Sequence, residues 1–524
     1  MNNQLPKSWA WTPIIELLDE NSNGKPFQQG WSPQCHNHPA PDNYWGVLKT
    51  TAIQDGEFWD HENKQLPESI EPRPHLEIAK GDILMTCAGP RNRCGVVCFV
   101  KETRPKLLMS GKMYRFRPNS MLLDSKYLEG FIRSHLAQRT IDSMKTGISD
   151  SGLNLTHGRF SELMVPFAPL PEQKRIVAKI EELFSELDNG IAELKAAREQ
   201  LKVYRQAVLK HAFEGKLSAK WREENADKLE TPEQLLAHIQ QEREARYQQQ
   251  LADWEVAEKI WEANGKEGKK PSKPPKLSYT KPVSTADFET PLEWTVSELG
   301  SIAYESLLGK MLDKQKNIGE ERPYLGNINV RWGSFKSDEL KTMKIEESEV
   351  ARYSLVNGDL VICEGGEPGR CAVWSGEDGV IFIQKALHRV RFTKSYLPEF
   401  AFYYLIYSVP LERVVKNFTG TTIKHLTGTG LNKVQLPVCS ADEQNEIVSI
   451  IESKISEIDS LERELDIQLA KSETLRQSIL KKAFSGQLVP QDPNDEPASQ
   501  LLARIQTERE AHKGSSIKKT RKAK

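Results

Sequence analysis

From residue 176 onward, apolar side chains recur at steps of mainly three, four or seven: Ile176, Ile180, Leu183, Leu187, Leu194, Leu201 and Val208. The rhythm returns at Ile447, Ile451, Ile455, Ile458, Leu461, Leu465, Leu475 and Ile479. That period describes an amphipathic helix whose apolar stripe approaches a coiled-coil seam. No proline interrupts either run, and each closes at a glycine, Gly215 or Gly486, set as a C-cap with a leucine two residues on. About 43 residues of helix reach roughly 65 Å. A lone helix of that length must bury its stripe, and the economical partner is the other copy, laid alongside in the opposite direction.

The two runs share more than rhythm. Shifting the chain by 271 positions lays residues 166–217 on 437–488 without a gap. Pro166 meets Pro437, Glu172-Gln173 meets Glu443-Gln444, and Arg205-Gln206 meets Arg476-Gln477. A unit this long is too large for a solenoid period, so one large piece is used twice.

Ahead of each helix the pattern changes to strands and turns. "GDILMTCAGPRNRCGVV" from Gly81 faces "GDLVICEGGEPGRCAVW" from Gly358: a tight Gly-Asp turn, an apolar strand, a loop, then a strand opening on Arg-Cys. Each block continues with a helix, a Gly/Thr/Ser loop around Gly147 or Gly420, and a strand ending in proline. Those loops either approach a ligand backbone or simply turn the chain.

The expected class is α+β, or mixed: two α/β blocks, an antiparallel pair of long helices, and a pseudo-two-fold internal repeat. The boundaries read as a first block over 1–165, a helix over 166–217, and a helical extension with a basic Pro/Lys linker over 218–283. A second block over 284–437, a helix over 438–488, and a C-terminal helix with a basic tail over 489–524 complete the chain. "QLLAHIQQEREA" in the extension is echoed by "QLLARIQTEREA" near the C-terminus. The linker "GKEGKKPSKPPK" reads as flexible with a polyproline tendency.

Composition sets bounds on this picture. With 28% charged and 38% hydrophobic residues and a net charge of −1, the chain is globular and long enough for at least two domains. No apolar run approaches a membrane helix and no signal-peptide core opens the chain, so the expected location is cytoplasmic. Seven sparse cysteines in apolar runs read as buried thiols. "CHNH", Cys35 to His38, has ligand-type residues without a second pair at finger spacing, so no metal site is expected.

Near-zero net charge hides an asymmetry. Residues 101–145 hold ten Lys/Arg against four Asp/Glu, and residues 379–437 hold eight against two, whereas 442–466 hold nine acidic against two basic. Basic clusters interleaved with aromatics are the footprint of phosphate binding, though a solvated basic face is the commoner cause of such a cluster. Walker A, G-x-S-x-G, H-E-x-x-H and the Asx-Pro-Pro-aromatic tetrad of amino-methylating DNA enzymes are absent from the sequence. A binder is expected rather than an enzyme.

"LPEQKRIVAKIEELF", "YRQAVLKHAFEGKL" and their second copies, each after a block with a Gly-Asp strand and a Gly/Thr loop, resemble the specificity subunit of Type I restriction–modification enzymes. The resemblance covers nearly the whole chain. It implies that each block is a target recognition domain reading half of a split site in double-stranded DNA. It implies that the paired helices set the half-site spacing and bind two methylation subunits, with motor-nuclease restriction subunits docking on the methylase core. S-adenosylmethionine, ATP and Mg then belong to partner subunits, and none to this chain.

Two unlike heads on a rigid frame would read unlike sequences a fixed distance apart, on the order of one DNA turn (~34 Å). Candidate DNA contacts are Arg91, Arg93, Lys112, Arg115, Arg117 and Lys145 in the first head. In the second they are Lys310, Arg331, Arg370, Lys385, Arg389 and Lys424. For any one of them a salt bridge within the protein is an equal alternative. The competing reading of the whole chain is a coiled-coil scaffold that never touches DNA. The "CHNH" segment and the insertion over 231–283 fall outside the family's shared core.

Overall fold

Six helices carry the architecture: α1 (Ser125–Arg133), α2 (His135–Met144), α3 (Leu170–Phe213), α4 (Pro232–Ala263), α5 (Pro398–Ser408) and α6 (Ala441–Phe484). The structure, a computed structural model, describes residues 5–21, 23–267, 270–274, 276–277, 283, 289–313, 315–420 and 424–507. It forms two units, Met1–Ala196 with Leu465–Lys524, and Ala197–Glu464. The division falls within both long helices rather than at their ends. Each helix starts on the head that precedes it and finishes in the core of the other unit. Among the described residues no helix is long and apolar enough to cross a membrane.

In the first unit a four-stranded sheet runs Gln28–Gln29, Met113–Phe116, Ile83–Thr86, Val97–Phe99. The strand Ala10–Pro13 pairs antiparallel with Met164–Phe167, which leads directly into α3. Phe116, Tyr127, Phe131 and Phe160 share a core with Ile176 and Ile180 of α3, Ile479 and Phe484 of α6, and Leu501 and Ile505 beyond it. Phe484 stands edge-on to Tyr127 and Phe131, with ring centroids 5.1 and 5.4 Å away.

The second unit repeats the plan. Its sheet runs Ala303–Leu308, Leu387–Phe392, Leu360–Cys363, Cys371–Val373, and Thr295–Glu298 pairs antiparallel with Gln435–Val438 ahead of α6. Phe213, at the end of α3, lies 5.3 and 5.2 Å from Phe400 and Tyr404 of α5. Leu235 and Ile239 of α4 join this core as Leu501 and Ile505 join the first, so the echoed "QLLA" segments do the same job.

The repeated Glu-Gln has a physical role. Glu172 accepts from the Trp9 indole at 3.0 Å and from the Gln491 amide at 3.2 Å. Gln173 donates to the carbonyls of Leu122 and Ala168 and accepts from the Asp124 amide, which binds the start of α1 to the start of α3. Likewise Trp294 donates to Glu443 at 2.9 Å, and Gln444 links Ser395, Leu397 and Cys439. Glu443 has Ser218 and Arg222 as further donors. The glycine after each helix is equally fixed. Gly215 and Gly486 have φ of 66° and 71°, and a Cβ on either would lie 2.3 Å from Cγ of Pro291 or Pro6.

Within each unit the helices run antiparallel. Along α3 in the first unit, Glu172 meets Gln491 and Arg175 meets Asp495 (2.7 Å), while Asp188 meets Arg476 further back. In the second, Arg205 pairs with Asp459 at 2.5 Å and with Glu462 at 3.2 Å, and Ser218 beyond the helix reaches Glu443. Ile176, Ile180, Val208, Ile447, Ile451, Ile458 and Ile479 are buried as the stripe requires, and Leu183, Leu187, Leu194, Leu201, Ile455 and Leu465 are half-buried. Leu461 and Leu475 are corrections to the seam: they are 54% and 52% exposed. The covered face keeps a seven-residue step through Ile451, Ile458, Leu465, Ser472 and Ile479 and through Ile455, Glu462, Leu469 and Arg476, so Leu461 and Leu475 each stand one residue off it. Val177, Phe184, Leu209, Phe213, Val448 and Phe484 complete the packing.

The extension is more ordered than its composition suggests. Thr231 and Gln234 form a capping box at the start of α4, and Arg243 is buried, donating to the carbonyl of Gly300 at 2.9 Å. The linker folds back along α4. Trp254 donates to the Pro271 carbonyl, Lys273 sits 5.1 Å from the Trp254 ring centroid, and Lys270 sits 5.8 Å from that of Trp261. Seven helical residues (~10.5 Å) and three polyproline residues (~9.3 Å) have nearly equal rises, which lets successive lysines meet successive tryptophans. Gly268, Lys269 and Pro275 of this linker and the basic tail "KKTRKAK" lie outside the described residues.

Candidate nucleic-acid interface

The Gly-Asp strand organises each head around a buried carboxylate. Asp82 accepts from the Ala79 amide at 2.8 Å, from Arg115 at 3.3 Å and from Arg117 at 2.6 Å. Asp359 accepts from the Val356 amide at 2.8 Å and from Arg391 at 2.6 and 3.0 Å, with Arg389 Nε at 3.9 Å. Arg389 and Arg391 stand two apart on one strand, hence on one face, and Arg115 with Arg117, one residue past its strand, repeats that spacing. Arg389 is fully buried; Glu305 pairs with it at 2.9 Å and the Ser354 carbonyl accepts from it. Burial lowers its guanidinium pKa against the pull of Glu305.

This divides the twelve candidate contacts. Arg389 and Arg115 are internal, Arg115 being tied to the carbonyls of Glu77 and His75 as well as to Asp82. Lys310 is buried against Glu349. Arg93 donates to the carbonyls of Thr50 and Ile53, and Lys145 to Asp142 and the Arg91 carbonyl. The side-chain donors of these five are already engaged in holding loops and strands. Arg91 is exposed but paired with Asp142 and Asp150, and Arg370 is held by Glu367 and the Asn327 carbonyl. Arg117 is half in solvent beside Asp82. Lys112, Arg331, Lys385 and Lys424 are exposed, with no carboxylate among the described residues within salt-bridge distance.

Three segments are laced together in each head. In the first, the Cys87 amide donates to the Lys112 carbonyl and the Leu155 amide to the Cys87 carbonyl, and Tyr114 Oη donates to the Leu155 carbonyl at 2.7 Å. In the second, the Glu364 amide donates to the Ala386 carbonyl and the Leu426 amide to the Glu364 carbonyl, and His388 Nε2 donates to the Leu426 carbonyl at 2.7 Å. The loop after the Gly-Asp strand, the turn before the Arg-x-Arg strand and the exit of the Gly/Thr loop therefore share one surface. Lys112 belongs to the first such surface, and Lys385, Lys424 and His425 to the second.

The "CHNH" segment shows stacked His36 and His38 rings, 5.3 Å apart, and a Cys35 thiol donating to the Pro33 carbonyl. No group of three His, Cys, Asp or Glu side chains among the described residues is placed to hold a metal ion. Sequence reasoning missed Arg391, although its signal, Arg-x-Arg after Gly-Asp, stands in both halves of the chain.

Residues 48–196 and 291–471 match the family described as "Type I restriction modification DNA specificity domain". The Type I restriction enzyme EcoKI specificity subunit of Escherichia coli strain K12 is 24% identical over 98% of this chain and 97% of its own length. The EcoEI specificity subunit of Escherichia coli is 36% identical over 37% of this chain, a stretch spanning about a third (32%) of that relative. A solved chain, from work titled as the structural basis of complex assembly and conformational transition of the type I R-M system, superposes with a TM-score of 0.61. It covers 93% of this chain and 100% of its own, at 17% identity, and so shares the fold.

Proposed function

The chain belongs to the Type I restriction modification DNA specificity family, and from that premise we propose that each unit's laced three-segment surface reads one half of a bipartite DNA site. The observation that carries this reading is the duplication itself. Asp82 and Asp359, the Arg-x-Arg strands, and the Tyr114 and His388 bridges build one frame twice, whereas the exposed side chains on the two frames differ. A constant frame with unlike tips fits two unlike half-sites. In this reading Lys112, Lys385, Lys424 and Arg331 neutralise phosphates, and loop side chains meet base edges.

α3 and α6, each shared by both units, would set the half-site spacing. Their outward apolar residues Val203, Tyr204, Leu461, Ile467 and Leu475 are exposed and offer a surface for methylation subunits. The reading places S-adenosylmethionine, ATP and Mg in partner subunits, motor-nuclease subunits on the methylase core, and the whole assembly in the cytoplasm.

Competition binding by the chain together with its methylation subunits tests the assignment. Duplexes scrambled in either half, or with a changed spacer, should each compete poorly. Indifference to sequence in either half would defeat it.

A further inference from the structure

The loop over 146–154 in the first head is closed like a small hairpin: the Thr146 amide donates to the Asn154 carbonyl at 2.8 Å and the Asn154 amide returns a bond at 2.7 Å. It is fixed from outside as well. The Arg91 amide donates to the Asp150 carbonyl at 2.9 Å, and its guanidinium holds the Asp150 carboxylate at 2.9 Å. An anchored loop normally turns an apolar side chain inward, yet Ile148 at its tip is fully exposed. Burying such a side chain is normally stabilising, so the loop presents it to solvent at the expense of that stabilisation. At the loop's exit Asn154 is exposed, and its side-chain carboxamide has no hydrogen-bond partner among the described residues. The second head closes the matching loop by the same pair of backbone bonds, Thr419 to His425, both 2.8 Å.

We propose that Ile148 and Asn154 read one A·T pair of the first half-site. The Asn154 amide would donate to adenine N7 and accept from its N6 group, and Ile148 would lie against the thymine C5-methyl group. An amide matches adenine's acceptor and donor in the major groove, and an aliphatic side chain matches the only methyl group there. This rests on the reading of the first head as a DNA-binding surface.

The test uses the full chain with its methylation subunits and duplexes in which each thymine of the first half-site is replaced in turn by deoxyuridine, which lacks the methyl group. One replacement should weaken wild-type binding about four-fold, the worth of one methyl group. The same replacement should leave Ile148→Ser binding unchanged. With Asn154→Ala, the adenine of that pair should become exchangeable, while Ile148→Val keeps the wild-type response. If no replacement separates wild type from Ile148→Ser while scrambling the half-site still abolishes binding, this inference fails and the bipartite reading stands. If scrambling has no effect, both fail.

Discussion

Trp9 donates its indole hydrogen to Oε2 of Glu172 at 3.0 Å, across 163 residues of chain. The bond ties the first strand of a head to the start of the long helix that leaves it, and Trp294 with Glu443 makes the same joint at 2.9 Å. Burial raises the pKa of the Glu172 carboxyl against the pull of its donors, so its hydrogen bonds carry weight. Trp9→Phe should destabilise the first unit by about 2 kcal/mol. Trp294→Phe should have a smaller effect, because Glu443 keeps Ser218 and Arg222. Calorimetric melts of the two variants against wild type measure the difference.

Glu129 predicts a pH dependence. It is buried beside Arg133 (3.4 Å), and Asp55 shares that arginine. Burial raises its pKa from 4.5 to about 7, while Arg133 and Lys101 pull it down and Asp55 raises it. The folded state therefore holds a proton that the unfolded chain has already released, and stability falls as pH rises from about 4.5 to about 7. Glu129→Gln should flatten that decline, worth about 1–3 kcal/mol, and melts recorded across the window would show it.

Cations only four residues apart should behave differently. Asp359→Ala leaves fully buried Arg389 without one of its two carboxylates and should destabilise the second unit by about 3–5 kcal/mol. Lys385→Ala should leave the melting temperature unchanged and lower the slope of log affinity against log salt by about one. Melts and salt titrations on both variants separate frame from contact.

Arg389 and Lys385 also show where sequence reading stopped. The 271-residue repeat, both long helices and the doubled trailing segment were legible because apolar period and identity survive in one dimension. Trp9 and Glu172 were each visible, but their pairing is a tertiary event with no local signature. Lys and Arg look alike on paper, and only the strand that starts at Leu387 carries Arg389 and Arg391 to Asp359 while Lys385 stays in the turn before it. Leu461 and Leu475 misled because the seam positions beside them, Glu462 and Arg476, are polar, so the apolar pattern pointed one residue away from the covered face. In the linker, basic and proline-rich composition concealed the tryptophans that hold it.

Inserting four residues, about one turn, into each of α3 and α6 should shift the preferred spacer and leave both half-sites intact. Methylome sequencing of cells carrying the variant reads both at once.

The central claim is that two independent readers are built on one repeated frame, and exchange of a single head tests it most directly. Residues 284–437 would be replaced by the matching block of another family member and the methylated motif of the host determined by sequencing. A motif altered in one half-site, with the other half-site retained, is the predicted result. A motif altered in both half-sites would contradict the account.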